Sequence, residues 1–451
     1  MAIAIQNATI VTVDERNQVI PNGLILIEAN EIAYIGPKDR ALPKNTEIID
    51  ARGMVAMPGL INCHTHAAMT YFRGIADDRV LMDGLEGIVW PAEQSLKAEH
   101  VYHHGLLACL EMIRSGTTTF VDQYFFPEQT YRAVEESGIR AFLAPPLKDY
   151  MDEELGKKLV EENLGDYLRF NNTLDGRVHF MLGPHAPYSC SRWLLCECKR
   201  LSDQYGMLMH IHIAEVPDEL AQQKTAREGM TSTEFLDEIG FLCERVLAAH
   251  SIWLTAADIE TYKKRGVRAV YNPTSNMKIS AGISPVPKLM EAGITVALGT
   301  DSAYSNNTLD MFEAMKTGSL LQKVATGDPT VLPAATCVRM ATIEGAKALG
   351  IDDRVGSIEA GKLADIILVN FSAPHLQPWY PNSAENVLSH LIYCAKGADV
   401  DTVIINGKVL MKGRKMVSLD QDTIIENSRK AANEILRNAG LTQFLVGEGP
   451  G

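Results

Sequence analysis

Cysteine is scarce: eight residues in 451, at positions 63, 109, 190, 196, 198, 243, 337 and 394. None stands in a Cys-x-x-Cys pair, which excludes a zinc ribbon and a thioredoxin-type motif. No run of eighteen apolar residues occurs, so no membrane-spanning helix is expected. The start, Met1-Ala-Ile-Ala-Ile-Gln-Asn, lacks the basic residues and long apolar core of a signal peptide. Positive charge is also in deficit: 42 Lys+Arg against 56 Asp+Glu leave a net charge of −14. A surface that negative repels phosphate backbones and excludes nucleic acid as the expected partner. A small molecule without a polyanionic backbone is not excluded. These absences predict a reduced, cytoplasmic protein with a small-molecule partner and no membrane or nucleic-acid partner.

What is present is ordinary for a folded protein: 46% hydrophobic and 22% charged residues, which argue against disorder, collagen and coiled coil. The length leaves room for several domains, or for one α/β barrel of about 250 residues with additions.

Both ends of the chain read as short strands. Ala2–Val13, Gly23–Glu28, Glu31–Ile35 and Thr46–Asp50 lie at one end. Ala364–Val369, Val400–Ile405 and Lys408–Met411 lie at the other, with Asn406-Gly407 as a hairpin turn signal. Neither end has enough strands to bury a core alone, so one sheet module completed from both termini is expected. A helix is predicted over Gln421–Ala439. Between the ends, eight apolar runs alternate with helical segments such as Ala98–Ser115 and Tyr131–Ser137. The runs are Met54–Asn62, Thr118–Asp122, Arg140–Ala144, His179–Gly183, Leu208–Ala214, Val246–Ala249, Arg268–Tyr271 and Thr295–Gly299. This alternation predicts an α/β fold with a (β/α)8 barrel over residues 57–359. Residues 1–56 and 360–451 then form a composite β-sandwich with the C-terminal helix.

In such a barrel the chemistry sits at the C-terminal ends of the strands. Five of the eight runs lead there into His, Asp or Glu, although the chain has only 12 histidines. His64-Thr65-His66 closes the first run, and a spacing of two points both imidazoles to one side. With His212 and Asp301 they make three nitrogens and one oxygen around a single centre. That set suits one divalent metal, Zn2+ first and Fe2+ as the alternative. A water on the metal would be acidified toward neutrality. Glu215, three residues after His212, is placed to take its proton and pass it to a leaving group. His250 would orient the water or polarise the reacting centre. His210 falls one layer deeper, as core or as support for the site. His100, His103 and His104 are expected to face solvent on a polar helix.

Two other motifs fail. Gly356-Ser-Ile-Glu-Ala-Gly361-Lys362-Leu363 nearly matches a phosphate loop, but it ends in Leu and precedes a strand rather than opening a helix. No Pro-Cys dipeptide occurs, which removes the zinc deaminases built on Pro-Cys-x-x-Cys.

Pro58-Gly59-Leu60-Ile61-Asn62-Cys63-His64-Thr65-His66 resembles the first-strand signature of the amidohydrolase superfamily. The order His-x-His, His212, His250, Asp301 resembles its mononuclear-metal deaminase branch. No Lys follows the third or fourth run where a carbamylated bridging ligand would stand. Within the branch, Phe72–Asp78, Trp90–Glu93, His185–Tyr188 and Asn272–Lys278 are similar to 5-methylthioadenosine/S-adenosylhomocysteine deaminases. The resemblance implies a hydrolase of C–N bonds in cyclic amidines, in which metal hydroxide attacks C6 of an adenine-type ring and ammonia leaves. It implies Glu93 on the ribose hydroxyls, His185 on the purine, Glu215 on ring and proton, and Asp301 as ligand and base. A homo-oligomer is a family-level expectation. Two positions depart from the pattern: Gly84 stands where these enzymes usually place Trp, and 148–160 shows no counterpart of their tail-binding Arg. Both bear on the substrate, so a triazine or other ring aminohydrolase or chlorohydrolase stays open as the alternative. A barrel that only binds would be expected to lack at least one of His64, His66, His212, Glu215, His250 and Asp301.

Overall fold

The computed structural model describes residues 2–75, 77–79, 81–217, 219 and 229–445. Eight strands carry the middle of the chain: β1 Leu60–Thr65, β2 Thr117–Asp122, β3 Arg140–Leu143, β4 Val178–Phe180, β5 Met209–Ile213, β6 Val246–His250, β7 Arg268–Tyr271 and β8 Val296–Leu298. They pair in parallel as two four-stranded sheets, β4-β3-β2-β1 and β5-β6-β7-β8. Strands β1, β2, β5 and β6 are buried along their whole length, as parallel strands covered on both faces must be. The edges of the two sheets are tied as well. Between β4 and β5, Leu182 bridges Met209, and His210 N donates to Leu182 O at 2.9 Å. Between β8 and β1, Asp301 N donates to His64 O at 2.9 Å.

Helices alternate with these strands, and their ends follow from local chemistry. Asp152, Ser191, Thr231, Thr255 and Asp310 cap five of them through side-chain oxygens. Gly138, Gly206, Gly266 and Gly327 stop four of them in the left-handed conformation.

The two ends of the chain meet in a nine-stranded sheet. Met54–Pro58 pairs in parallel with Ile3–Val11 and antiparallel with Ile366–Asn370, which joins the N-terminal strands to the C-terminal ones. Alternate residues serve two cores. Ile366 and Leu368 pack with Ile5, Ile25 and Ile404 on one side. Ile367 and Val369 turn with Val55 and Met57 into the main core on the other. Arg140 and Asp365, both almost fully buried, pair at 3.1 Å and fasten β3 to this sheet. No helix among the described residues is long and apolar enough to cross a membrane.

Two expectations need correction. Met54–Asn62 is not one strand: Met54–Pro58 belongs to the terminal sheet, and Leu60–Thr65 opens the parallel set. The break falls at Pro58-Gly59, where a Cβ on Gly59 would lie 2.2 Å from the Thr118 side chain. His100 and His104 do not face solvent; each is 2% exposed. Their helix, Ala98–Arg114, lies beneath the C-terminal helix Gln421–Asn438, and His104 Nδ1 meets Thr70 Oγ1 at 2.9 Å. His103 alone of the three keeps partial exposure, 3.6 Å from Glu99.

Candidate active site

A cavity of about 230 Å³ opens at the carboxyl ends of the parallel strands. His66, His212, Glu215, His250 and Asp301 line it, with Glu93 and His185 on its walls. His64 lies fully buried at its floor. Eight residues marked by sequence therefore converge from five strand ends and one short helix.

The imidazoles present one nitrogen each because the other is taken. His66 Nδ1 is 2.7 Å from the Gln123 carbonyl, and His212 Nδ1 is 2.7 Å from the His185 carbonyl. A carbonyl only accepts, so both rings donate from Nδ1 and turn Nε2 to the cavity. His64 Nδ1 contacts His210 Nε2 at 3.0 Å, with the rings stacked at 4.8 Å. His64 Nε2 is buried and makes no hydrogen bond. It stands 3.4 Å from Asp301 Oδ1, as does His66 Nε2. Two donors each about 2.1 Å from a tetrahedral ion lie about 3.4 Å apart, so this spacing fits donors sharing a metal. The donor atoms of His64, His66 and His212 lie within 4.8 Å of one another, as do those of His64, His250 and Asp301. Histidines that hold a metal through one nitrogen and a carbonyl through the other follow a general rule of such centres.

Asp301 is oriented by three donors: Ser302 N at 2.7 Å, Ser275 Oγ at 2.6 Å and Ser305 Oγ at 2.9 Å. Burial would raise its carboxyl, but the facing His64, His66 and His250 outweigh burial and hold it well below the usual carboxylate range. Burial lowers His64 to about 4 and puts His212 and His185 well below an ordinary imidazole, so all three are neutral near pH 7. Neutral imidazole is the form that binds metal. His250 goes the other way. Burial opposes its charge, yet Glu215 and Asp301 raise its pKa. Its Nε2 is 3.6 Å from Glu215 Oε1 and 4.0 Å from Asp301 Oδ2, while Nδ1 is held by Asn276 Oδ1 at 2.9 Å.

Glu93 sits at the opposite wall and accepts from Tyr124 Oη at 3.2 Å; burial raises its carboxyl. His185 Nδ1 is fixed by Ser189 Oγ at 2.8 Å. A side chain at Gly84 would meet Tyr304 Oη at 2.5 Å, so Tyr304, which lines the cavity, fills the space beside that position.

Sequence reasoning missed the supports: Gln123, Ser275, Asn276, Ser189 and Ser305. Ser275 and Asn276 lie inside the Asn272–Lys278 segment singled out above, and Ser305 lies four residues past Asp301, so adjacency was a usable signal. Gln123 carried none beyond following β2. Ala214, His250, Ser251 and Asp301 all have positive φ between 49° and 70°. Left-handed backbone at non-glycine residues is costly, and here it gathers at the strand ends that deliver the site.

Residues 55–410 match the amidohydrolase family. The 5'-deoxyadenosine deaminase of Methanosarcina acetivorans is 46% identical over 438 residues, covering 97% of this chain and 99% of its own. The 5-methylthioadenosine/S-adenosylhomocysteine deaminase of Thermococcus sibiricus is 47% identical over 413 residues, covering 91% of this chain and 94% of its own. A zinc-bound adenosine deaminase structure from Xanthomonas campestris has a TM-score of 0.88 at 33% identity, with 96% of this chain and 98% of that one covered. With its donor set, its strand-end geometry and relatives along nearly its whole length, this chain belongs to the amidohydrolase family.

Proposed function

We propose that the chain is a metal-dependent hydrolytic deaminase of adenosine-type nucleosides, with 5'-deoxyadenosine, 5-methylthioadenosine and S-adenosylhomocysteine as candidate substrates. The observation that carries this reading is the convergence of three imidazole nitrogens and one oriented carboxylate opposite Glu215 and His250. The relatives' names support the substrate class. On this reading residues 59–359 carry a closed (β/α)8 barrel, two residues later than the boundary expected from sequence because Met57 and Pro58 pair in the terminal sheet, and the hydrogen bonds that tie both edges of the two parallel sheets support the closure. Residues 2–58 and 360–445 carry the composite β-sandwich and its helix. The eight cysteines form no disulfide with one another in the structure, which accords with a cytoplasmic location.

His64, His66, His212 and Asp301 would hold one divalent ion, zinc by the donor set. When bound, that ion supplies the Lewis acidity that lets water act as a nucleophile near neutrality. The protein's groups do the rest. Glu215 accepts one proton from the attacking water and delivers it to the ring nitrogen; the second, lost by the added hydroxyl as the C=O forms, goes to the amine, which leaves as ammonia. His250, made more basic by two carboxylates, holds the attacking oxygen in place, and Asp301 takes part as base. His185 faces the purine and Glu93 the ribose hydroxyls. Tyr304 in the space beside Gly84 makes the wall near the substrate tail different from one built around Trp.

The test is a panel of 5'-deoxyadenosine, 5-methylthioadenosine, S-adenosylhomocysteine, adenosine, guanine and an amino-triazine, read by ammonia release and metal content. Turnover of the 5'-substituted adenosines by protein holding about one zinc per chain is expected. Turnover of the triazine alone would move the function to the alternative, and no stoichiometric metal would sink the enzyme reading. Glu215→Gln should keep the metal and lose about 10²–10⁴-fold in rate.

A further inference from the structure

Glu219 is a carboxylate with no part in the chemistry above, and it is 8% exposed. Its two oxygens face consecutive backbone amides at the end of β5. Ala214 N donates to Oε2 at 2.9 Å and Glu215 N to Oε1 at 3.4 Å. Ser232 Oγ, at the start of the helix Ser232–Glu238, donates to Oε2 and holds the carboxylate from behind. Ala214 has φ +55°, a conformation that an alanine keeps only under external constraint. The constraint has two sides: the Ala214 carbonyl accepts from Ile252 N and Trp253 N, both at 3.0 Å, in the turn that follows His250.

We infer that Glu219 is a positioning residue, whose carboxylate clamps the Ala214 and Glu215 amides and so aims the Glu215 side chain across the cavity at His250. The turn after β5 has no other side chain on these amides among the described residues. Without the clamp, the Ala214–Glu215 peptide keeps, among the described residues, only the two bonds to its carbonyl, and it can rock about that anchor with the Glu215 side chain. A shift of about 1 Å in a catalytic group costs on the order of 10²-fold in rate. Burial raises the Glu219 carboxyl to about 7, with the Ser232 and Ala214 donors opposing it, which agrees with a group kept for its geometry in a dry place.

The inference rests on the proton-carrying role of Glu215, so E215Q is measured beside the Glu219 variants. E219M keeps the bulk and removes both acceptors; E219Q keeps one carbonyl for the Ala214 N–H. The expected result for E219M is a kcat lowered about tenfold or more, with KM within about threefold and metal content unchanged. E219Q should recover most of that loss. A kcat within about twofold of wild type in E219M overturns the inference, as does an equal loss in both variants or loss of metal alongside rate. Should E219M not fold, Ser232→Ala, which removes the donor that holds the Glu219 carboxylate, decides instead: a kcat lowered about threefold or more at constant KM supports the clamp, and a smaller change overturns it. Wild-type turnover in E215Q would instead remove the proton role of Glu215.

Discussion

At the floor of the site, His64 presents Nε2 upward only if its Nδ1 proton has somewhere to go. The acceptor is His210 Nε2, and the two rings stack deep among the strands. Once His64 donates, His210 must carry its own proton on Nδ1, which is buried without a partner. On the proposed function, that orphaned donor is a cost accepted for fixing one tautomer of an imidazole that would hold the metal. His210→Phe keeps the stack and removes the acceptor. Its metal affinity should fall about 10–100-fold in a chelator competition, with little change in thermal midpoint. Residues with this much chemistry were legible from sequence because strand alternation pairs position 210 with 212. The supports around Asp301 were not, since nothing distinguishes Ser275 or Ser305 from other serines until the chain has folded.

At the scale of elements, the helix Ala98–Arg114 shows why periodicity alone misled. His100, His103 and His104 look like a polar stripe, but His100 lies beside Glu434 of the C-terminal helix and His104 packs against Thr70 and Tyr71. Burial brings His104 down to about 3 from an ordinary 6.5. Its folded pKa is below its unfolded one, so between those values the unfolded chain binds more protons. Stability is therefore full above the unfolded value and falls as pH drops through the window, by about 1.4 kcal/mol per unit for this one group. His104→Asn should flatten that acid loss, measured as the urea midpoint from about pH 8 to about pH 5. An unchanged slope would mean that other groups set the acid limit. Elsewhere the elements explain which sequence segments stood out. Lys278, in the Asn272–Lys278 segment, bonds Asp77 Oδ1 at 2.6 Å and the Tyr304 carbonyl at 2.7 Å. Asp77 belongs to the other quoted segment, Phe72–Asp78, so the two are one contact in space rather than two independent signals.

For the molecule as a whole, a buried ion pair fastens the terminal sheet to the strands of the site. Arg140 Nη1 also donates to Gly176 O at 2.9 Å, and Asp365 Oδ1 accepts Asn406 N at 2.7 Å. Every polar arm of this buried pair is thus used. Arg140→Met should lower stability by about 3–5 kcal/mol, since it strands a buried carboxylate. Adding Asp365→Leu should recover part of that loss, read from thermal or urea unfolding. The strand alternation and the union of the two ends could be read from pattern. The position of the joint could not, because Met54–Asn62 is one unbroken apolar run until packing against Thr118 forces the turn at Gly59. That joint also bears on the order in which the protein is made. Met54–Pro58 finds its neighbour Ile366–Asn370 only after some three hundred further residues have been synthesised. The strand bearing His64 follows directly on it, so the floor of the cavity stays tied to a joint that is completed only when the C-terminal strands arrive. A chain ending at residue 360 should accordingly hold its metal weakly and resist proteolysis poorly, although it retains every residue assigned to the chemistry.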